Sequence, residues 1–170
     1  MSVAFAADLA AQLDRDLRGL RRQLEAYPDE RQIWQAVPGL PNTAGTLALH
    51  LAGNLQHYIG ARWAGTGYVR DRPAEFARRD VPRAELLAEI ERARAAVAAG
   101  LAAVRLEELD ETFPELVGAS RVRTGDLLVH AAAHVAYHLG QLDAHRRVVT
   151  GSEAGVGMLK PDELGSARPA

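Results

Sequence analysis

The sequence predicts an all-α protein, a four-helix bundle with an up-down-down-up course and a long crossover between its second and third helices. Three observations carry that expectation. Apolar residues recur at helical spacing in four separate segments. Ala, Leu and Val dominate the apolar residues while aromatics make up only 5%, which suits helices packed through small side chains better than a sandwich. The connection from Ala64 to Val81 is long for a bundle, where links of about two to eight residues are usual.

The first helix is marked by Phe5, Leu9, Leu13, Leu17, Leu20 and Leu24, one stripe on a helical surface. It should stop near Tyr27, because Pro28 disfavours helical geometry in the residue before it. The charged run "RDLRGLRRQ" (Arg15 to Gln23) reads as the solvated face of this helix. In the stretch that follows, Pro38, Gly39 and Pro41 mark a structured loop.

Asn42 or Thr43 can cap the second helix, which runs through "AGTLALHLAGNLQHYIGARW" to about Trp63. Pro82 opens the third. It continues through Leu86, Leu87, Ile90, Ala93, Val97, Leu101 and Val104. The fourth opens at Thr124, with Asp126 in the first turn, where a negative charge suits the helix dipole. Gly151 is placed to end it. Residues 1–150 therefore read as the bundle. Residues 151–170, rich in Gly, Ser and Pro, read as a flexible C-terminal tail or a dimer arm. Trp34 and Trp63 stand at helix–loop junctions and are expected to seal the bundle ends.

The crossover sets the topology. A helix of about twenty residues is roughly 30 Å long, and about eighteen extended residues can span that distance. The second and third helices can then run parallel, which leaves the second and fourth antiparallel.

Charge and composition narrow the function. Twenty basic and 22 acidic residues are interleaved, giving a formal charge of −2 with no long block of one sign. That pattern gives no support for nucleic-acid or membrane-surface binding. With no cysteine, thiolate metal sites and disulfides are excluded, and a metal would need His, Asp or Glu. No window reads as a membrane span. The N-terminus lacks the basic start and apolar run of a secretion signal, so a cytoplasmic location is expected. Serine is scarce, and neither a G-x-S-x-G nor a P-loop pattern occurs.

The six histidines fall in two short stretches: His50 and His57 on the second helix, and His130, His134, His138 and His145 on the fourth. His134 and His138 are four apart and project from one helix face, as in H-x-x-x-H zinc sites. His50 lies roughly 10 Å into its helix. Antiparallel packing brings that height near His138, whereas parallel packing would bring it nearer His130 and His134. The crossover favours the trio His50, His134 and His138. Three histidines leave a coordination position open, as catalytic sites do. His57 shares the His50 face and could be a ligand or a supporting group. His130 is a core histidine, a substrate contact or an alternative ligand. His145, near the helix end, needs only the helix dipole. Asp143 or His130 could orient a ligand imidazole, Asp143 and Glu75 could be carboxylate partners although a lone acid on a helix is usually solvated, and Arg62, Arg70 and Arg72 could meet an anionic cofactor.

Three stretches, "PNTAGTLALHLAGNLQHYIGARW", "YVRDRPAEF" and "TGDLLVHAAAHVAYHLGQLDAHRR", resemble the DinB/YfiT-like superfamily of metal-dependent four-helix-bundle proteins. The resemblance implies a zinc or nickel ion held by His50, His134 and His138, with Gln141 near the site but off the metal. It also implies a homodimer. Characterised relatives are thiol-dependent S-transferases and a maleylpyruvate isomerase that use low-molecular-weight thiols. The expected function is therefore a divalent-metal-dependent enzyme, a thiol S-transferase or a related conjugation or hydrolysis activity on a small molecule. The alternative is a non-catalytic dimeric metal-binding or stress-response scaffold.

Overall fold

The first helix, α1 (Ala4–Glu25), buries the stripe Leu9, Leu13, Leu17, Leu20 and Leu24 that its spacing predicts. The computed structural model describes residues 4–168. Four further α-helices follow: α2 (Ala44–Leu55), α3 (Arg72–Ala77), α4 (Arg83–Ala103) and α5 (Thr124–Thr150). No strand occurs among the described residues, although isolated antiparallel bridges pair Thr112 with Arg123 and Val117 with Ser120. The chain is all-helical.

α2 is the innermost helix. Every residue from Ala44 to Gly53 is buried, including His50, as expected of a helix whose surface is apolar or small all round. Thr43 caps it, accepting a hydrogen bond from the Thr46 amide at 3.3 Å. The expected helix to Trp63 is continuous, but Gln56–Ala61 forms a π-helical turn. The wider turn changes which residues share a face.

Pairwise contacts fix the helix directions. Arg94 bonds Asp14 and Arg83 bonds the Tyr27 carbonyl, so α1 and α4 run antiparallel. Leu139 lies against Gly19, Asp143 bonds Gln23, and His145 bonds Tyr27, so α1 and α5 run parallel. Gln56 bonds Glu89, and further along Ile59 packs on Gly100, so α2 and α4 run the same way. Leu47 is near Gln141 while Asn54 is near His130, so α2 and α5 run oppositely.

The crossover is not simply an extended connection: it contains the short helix α3. Asp71 caps α3 by accepting from the Ala74 amide at 3.0 Å, and Pro73 sits in its first turn. Trp34, in a short 3-10 turn (Glu30–Trp34), donates its indole N–H to the Val81 carbonyl and lies over Gly45. Trp63 packs near Phe113. Both tryptophans close junctions as expected.

The run Arg15 to Gln23 is not a solvated face. Asp16 and Gln23 are fully buried and Arg15 nearly so. The reason lies in the chain beyond α5. Gly151 ends that helix with a left-handed φ of 67°, and the following residues lie along α1. Arg22 donates to the Gly157 carbonyl at 2.7 Å, Glu163 pairs with Arg18 at 3.2 Å, and Gln23 meets Met158. Arg146, only 2% exposed, ties the arrangement together by donating to Gln23, Asp143 and the Ala154 carbonyl.

Candidate metal centre

His50 on α2 and His134 and His138 on α5 meet where the two antiparallel helices cross. The nearest Nε2 atoms, those of His50 and His134, are 3.2 Å apart. One ring nitrogen from each of the three histidines lies within 4.8 Å of those from the other two. A tetrahedral ion with bonds of about 2.0–2.1 Å holds its donors roughly 3.4 Å apart. The His50–His134 pair already stands near that separation and the third ring lies close by, so the three side chains form a group that could hold one ion.

The second nitrogen of two of these rings is held by an acceptor. Glu75 Oε2 lies 2.9 Å from His50 Nδ1, and Gln141 Oε1 lies 2.7 Å from His138 Nδ1. Both partners accept, so each Nδ1 is placed to donate and each Nε2 is left to face the other histidines. Burial, joined by the neighbouring His138, His50, His130 and Arg70, pushes His134 down to about 3, so its ring is neutral. Burial also lowers His138, partly offset by the Gln141 bond. Neutral imidazoles are the form that binds metals, so the residues present fit a divalent ion.

Glu75 is a buried residue, 5% exposed, and not the solvated acid its isolated position suggested. Arg70 grips it with two bonds, Nε to Oε1 at 2.7 Å and Nη2 to Oε2 at 2.8 Å. Burial pulls this carboxyl upward, but the bonds from Arg70 and His50 outweigh it and hold Glu75 below the usual carboxylate range. Glu75 reaches His50 because α3 carries it against α2 and because Gly53 leaves room. A Cβ at Gly53 would overlap Glu75 Oε1 and lie 3.0 Å from its Cδ.

Other expectations are redirected. Asp143 does not orient a ligand imidazole; it bonds Gln23, Arg146 and Arg147 on the α1 side. Gln141 supports His138, as the resemblance implied. His57 is not in the cluster, since it pairs with Glu115 at 3.1 Å. His145 is not a cation at a helix end. It is buried, lowered by that burial against a bond to Gln35, and held between the Tyr27 hydroxyl at 2.7 Å and the Gln35 carbonyl at 2.8 Å. Its Nε2 donates to the carbonyl and its Nδ1 accepts from Tyr27. His130 stacks near His134, ring centres 5.7 Å apart. Of the three arginines, Arg62 pairs with Glu108, Arg70 with Glu75, and Arg72 lines a cavity.

That cavity, about 500 Å³, opens beside His50 and His134. Asn54, Tyr58, Arg72 and His130 line its polar part, and Leu116, Val117, Leu127 and Ala131 its apolar part. A family model described as the DinB superfamily matches residues 10–142. The chain belongs to the DinB superfamily. Comparison with curated proteins and with solved structures returns no significant match. The matched region of this DinB member holds all three clustered histidines together with Glu75 and Gln141.

Proposed function

We propose that this DinB superfamily chain is a divalent-metal-dependent enzyme, a low-molecular-weight-thiol S-transferase or a related conjugation or hydrolysis catalyst. The scaffold in this reading is a four-helix bundle of α1, α2, α4 and α5 with an up-down-down-up course, which the pairwise helix directions support. His50, His134 and His138 hold zinc or nickel, both suited to imidazole donors. The observation that carries the reading is the convergence of three imidazoles, two of which, His50 and His134, line a cavity large enough for a small molecule.

A divalent ion held there supplies Lewis acidity, which lowers the pKa of a bound water or thiol. The chain does the rest. Glu75 fixes the tautomer and the aim of His50, and Gln141 does so for His138. Arg70 keeps Glu75 ionised and in place. Leu116, Val117 and Leu127 give the cavity an apolar lining for the body of a small molecule.

An exposed face of α5 bearing Val129, Tyr137 and Val148 supports a homodimer. No described helix is long and apolar enough to cross a membrane. We place the protein in the cytoplasm, with no nucleic-acid or membrane partner.

Metal removal tests the catalytic role. A chelator should leave the helical circular dichroism in place, because leucines and not the ion fill the core. Transfer of a small thiol to an electrophilic acceptor should fall at least tenfold and return with zinc or nickel. Collapse of the helical signal on chelation would instead mark a structural ion and the scaffold reading.

A further inference from the structure

We propose that the cavity beside the three histidines takes a small molecule bearing a carboxylate, which Arg72 recognises. The inference deepens the metal-site reading of the same cavity, and it rests on how the charges around that cavity are already used.

Two arginines line the cavity and no acid does. Arg70 is committed: both of its bonds to Glu75 are made, and the pair is buried. Its charge is cancelled where it stands. Arg72 is different. Among the described residues no carboxylate lies within ion-pairing distance of it, and its guanidinium rests over the Phe76 ring, 5.1 Å from the centre. That stacking orients the planar fork and leaves its N–H donors without a protein acceptor. Asp71, its neighbour in the chain, uses its side chain to cap α3, and Glu115 pairs with His57. The Arg72 guanidinium therefore stands at the cavity with no carboxylate paired to it among the described residues.

The remaining polar groups fit the same occupant. The Asn54 side chain lines the cavity without a hydrogen-bond partner among the described residues, and His130 stands beside it in the same state. A planar guanidinium matches a carboxylate through two parallel bonds. The apolar lining of Leu116, Val117, Leu127 and Ala131 calls for an apolar body. The occupant is an amphipathic acid whose carboxylate meets Arg72 and whose other end faces His50 and His134. Arg72 is a specificity-determining residue.

The test uses 4-phenylbutyrate and its neutral isostere 4-phenylbutyramide as probes, titrated calorimetrically into the full chain. Both zinc-free and zinc-loaded protein are used, so that carboxylate binding to the metal is separated from binding to Arg72. The acid should bind zinc-free protein at least tenfold more tightly than the amide. Arg72→Gln should abolish that preference, Arg72→Lys should restore part of it, and Arg62→Gln, whose arginine pairs with Glu108 outside the cavity, should leave it intact. Equal affinity for acid and amide, no binding of either, or a preference that survives Arg72→Gln would overturn the proposal. Failure of the protein to take up zinc at all would remove the metal reading and leave this preference standing.

Discussion

Replacing Glu75 with Ala is expected to destabilise the fold by about 3–5 kcal/mol, the usual cost of breaking a buried ion pair by deleting one partner. Arg70 would be left with its guanidinium buried and unpaired, since its side chain is only 10% exposed. His50 would lose the acceptor on Nδ1, freeing its ring to rotate and to change tautomer. Metal affinity should therefore fall by about 10–100-fold, as it does when such supporting acceptors are removed. Glu75→Gln separates the two effects. It keeps an oxygen that can accept from His50 but loses the charge that Arg70 grips, so stability should suffer more than affinity. Urea melts of the metal-free proteins, with zinc competition against a chromophoric chelator, measure both quantities. Equal stability of Glu75→Ala and wild type would refute the role given to the Arg70–Glu75 pair.

Gly53→Ala should produce the same metal defect from the other side of the contact. Within a helix, alanine is ordinarily favoured over glycine by about 1 kcal/mol. At Gly53 the new methyl would overlap the Glu75 carboxylate and approach the Tyr68 hydroxyl at 3.2 Å. Crowding of this kind costs about 1–3 kcal/mol, so the net change is destabilising. Glu75 must also retreat from His50, so affinity for zinc should drop at least tenfold. Gly140→Ala supplies the contrast: it lies on the exposed side of α5 with nothing within 4 Å of a built Cβ. That variant should gain up to about 1 kcal/mol and bind zinc normally. A Gly53→Ala protein more stable than wild type, with unchanged zinc affinity, would contradict the packing assigned here.

The two predictions also show what the sequence made legible. His134 and His138 could be paired because both lie on one uninterrupted helix, where a spacing of four fixes a shared face. His50 joined them through a longer argument, from crossover length to helix direction, and the contacts of Leu47, Asn54 and His50 with α5 agree with that direction. His57 shares the His50 face by spacing, but a shared face does not bring two residues to one ion. Seven residues on is also about 10 Å further along the axis, so His57 lies two turns from His50 and pairs with Glu115 instead.

Glu75 was missed for a different reason. A periodicity argument has no purchase on a connection, and the acid meets His50 across 25 positions of sequence. Its signals were nonetheless present. Asp71 followed by Pro73 is a helix start inside the supposed link, and Gly53 stands three residues after His50, leaving space beside it. The charged run on α1 misled in the opposite sense. Charge suggests solvent, but the segment after Gly151 supplies Glu163 and backbone carbonyls that satisfy Arg18 and Arg22. His145 likewise invited a helix-dipole reading, whereas Tyr27 and Gln35 enclose it. Local rules place side chains on a helix; they do not reveal what the rest of the chain lays over them.

The most direct measurement is elemental analysis of the untagged protein beside its His50→Ala, His134→Ala and His57→Ala variants, each after reconstitution with zinc or nickel. The account predicts about one transition-metal ion per chain in the wild type and in His57→Ala, because a single three-histidine site needs no more. It predicts loss of that ion in His50→Ala and in His134→Ala. A wild-type protein that holds no metal, or an ion retained in both of those variants, would contradict the assignment of His50, His134 and His138 as the metal centre.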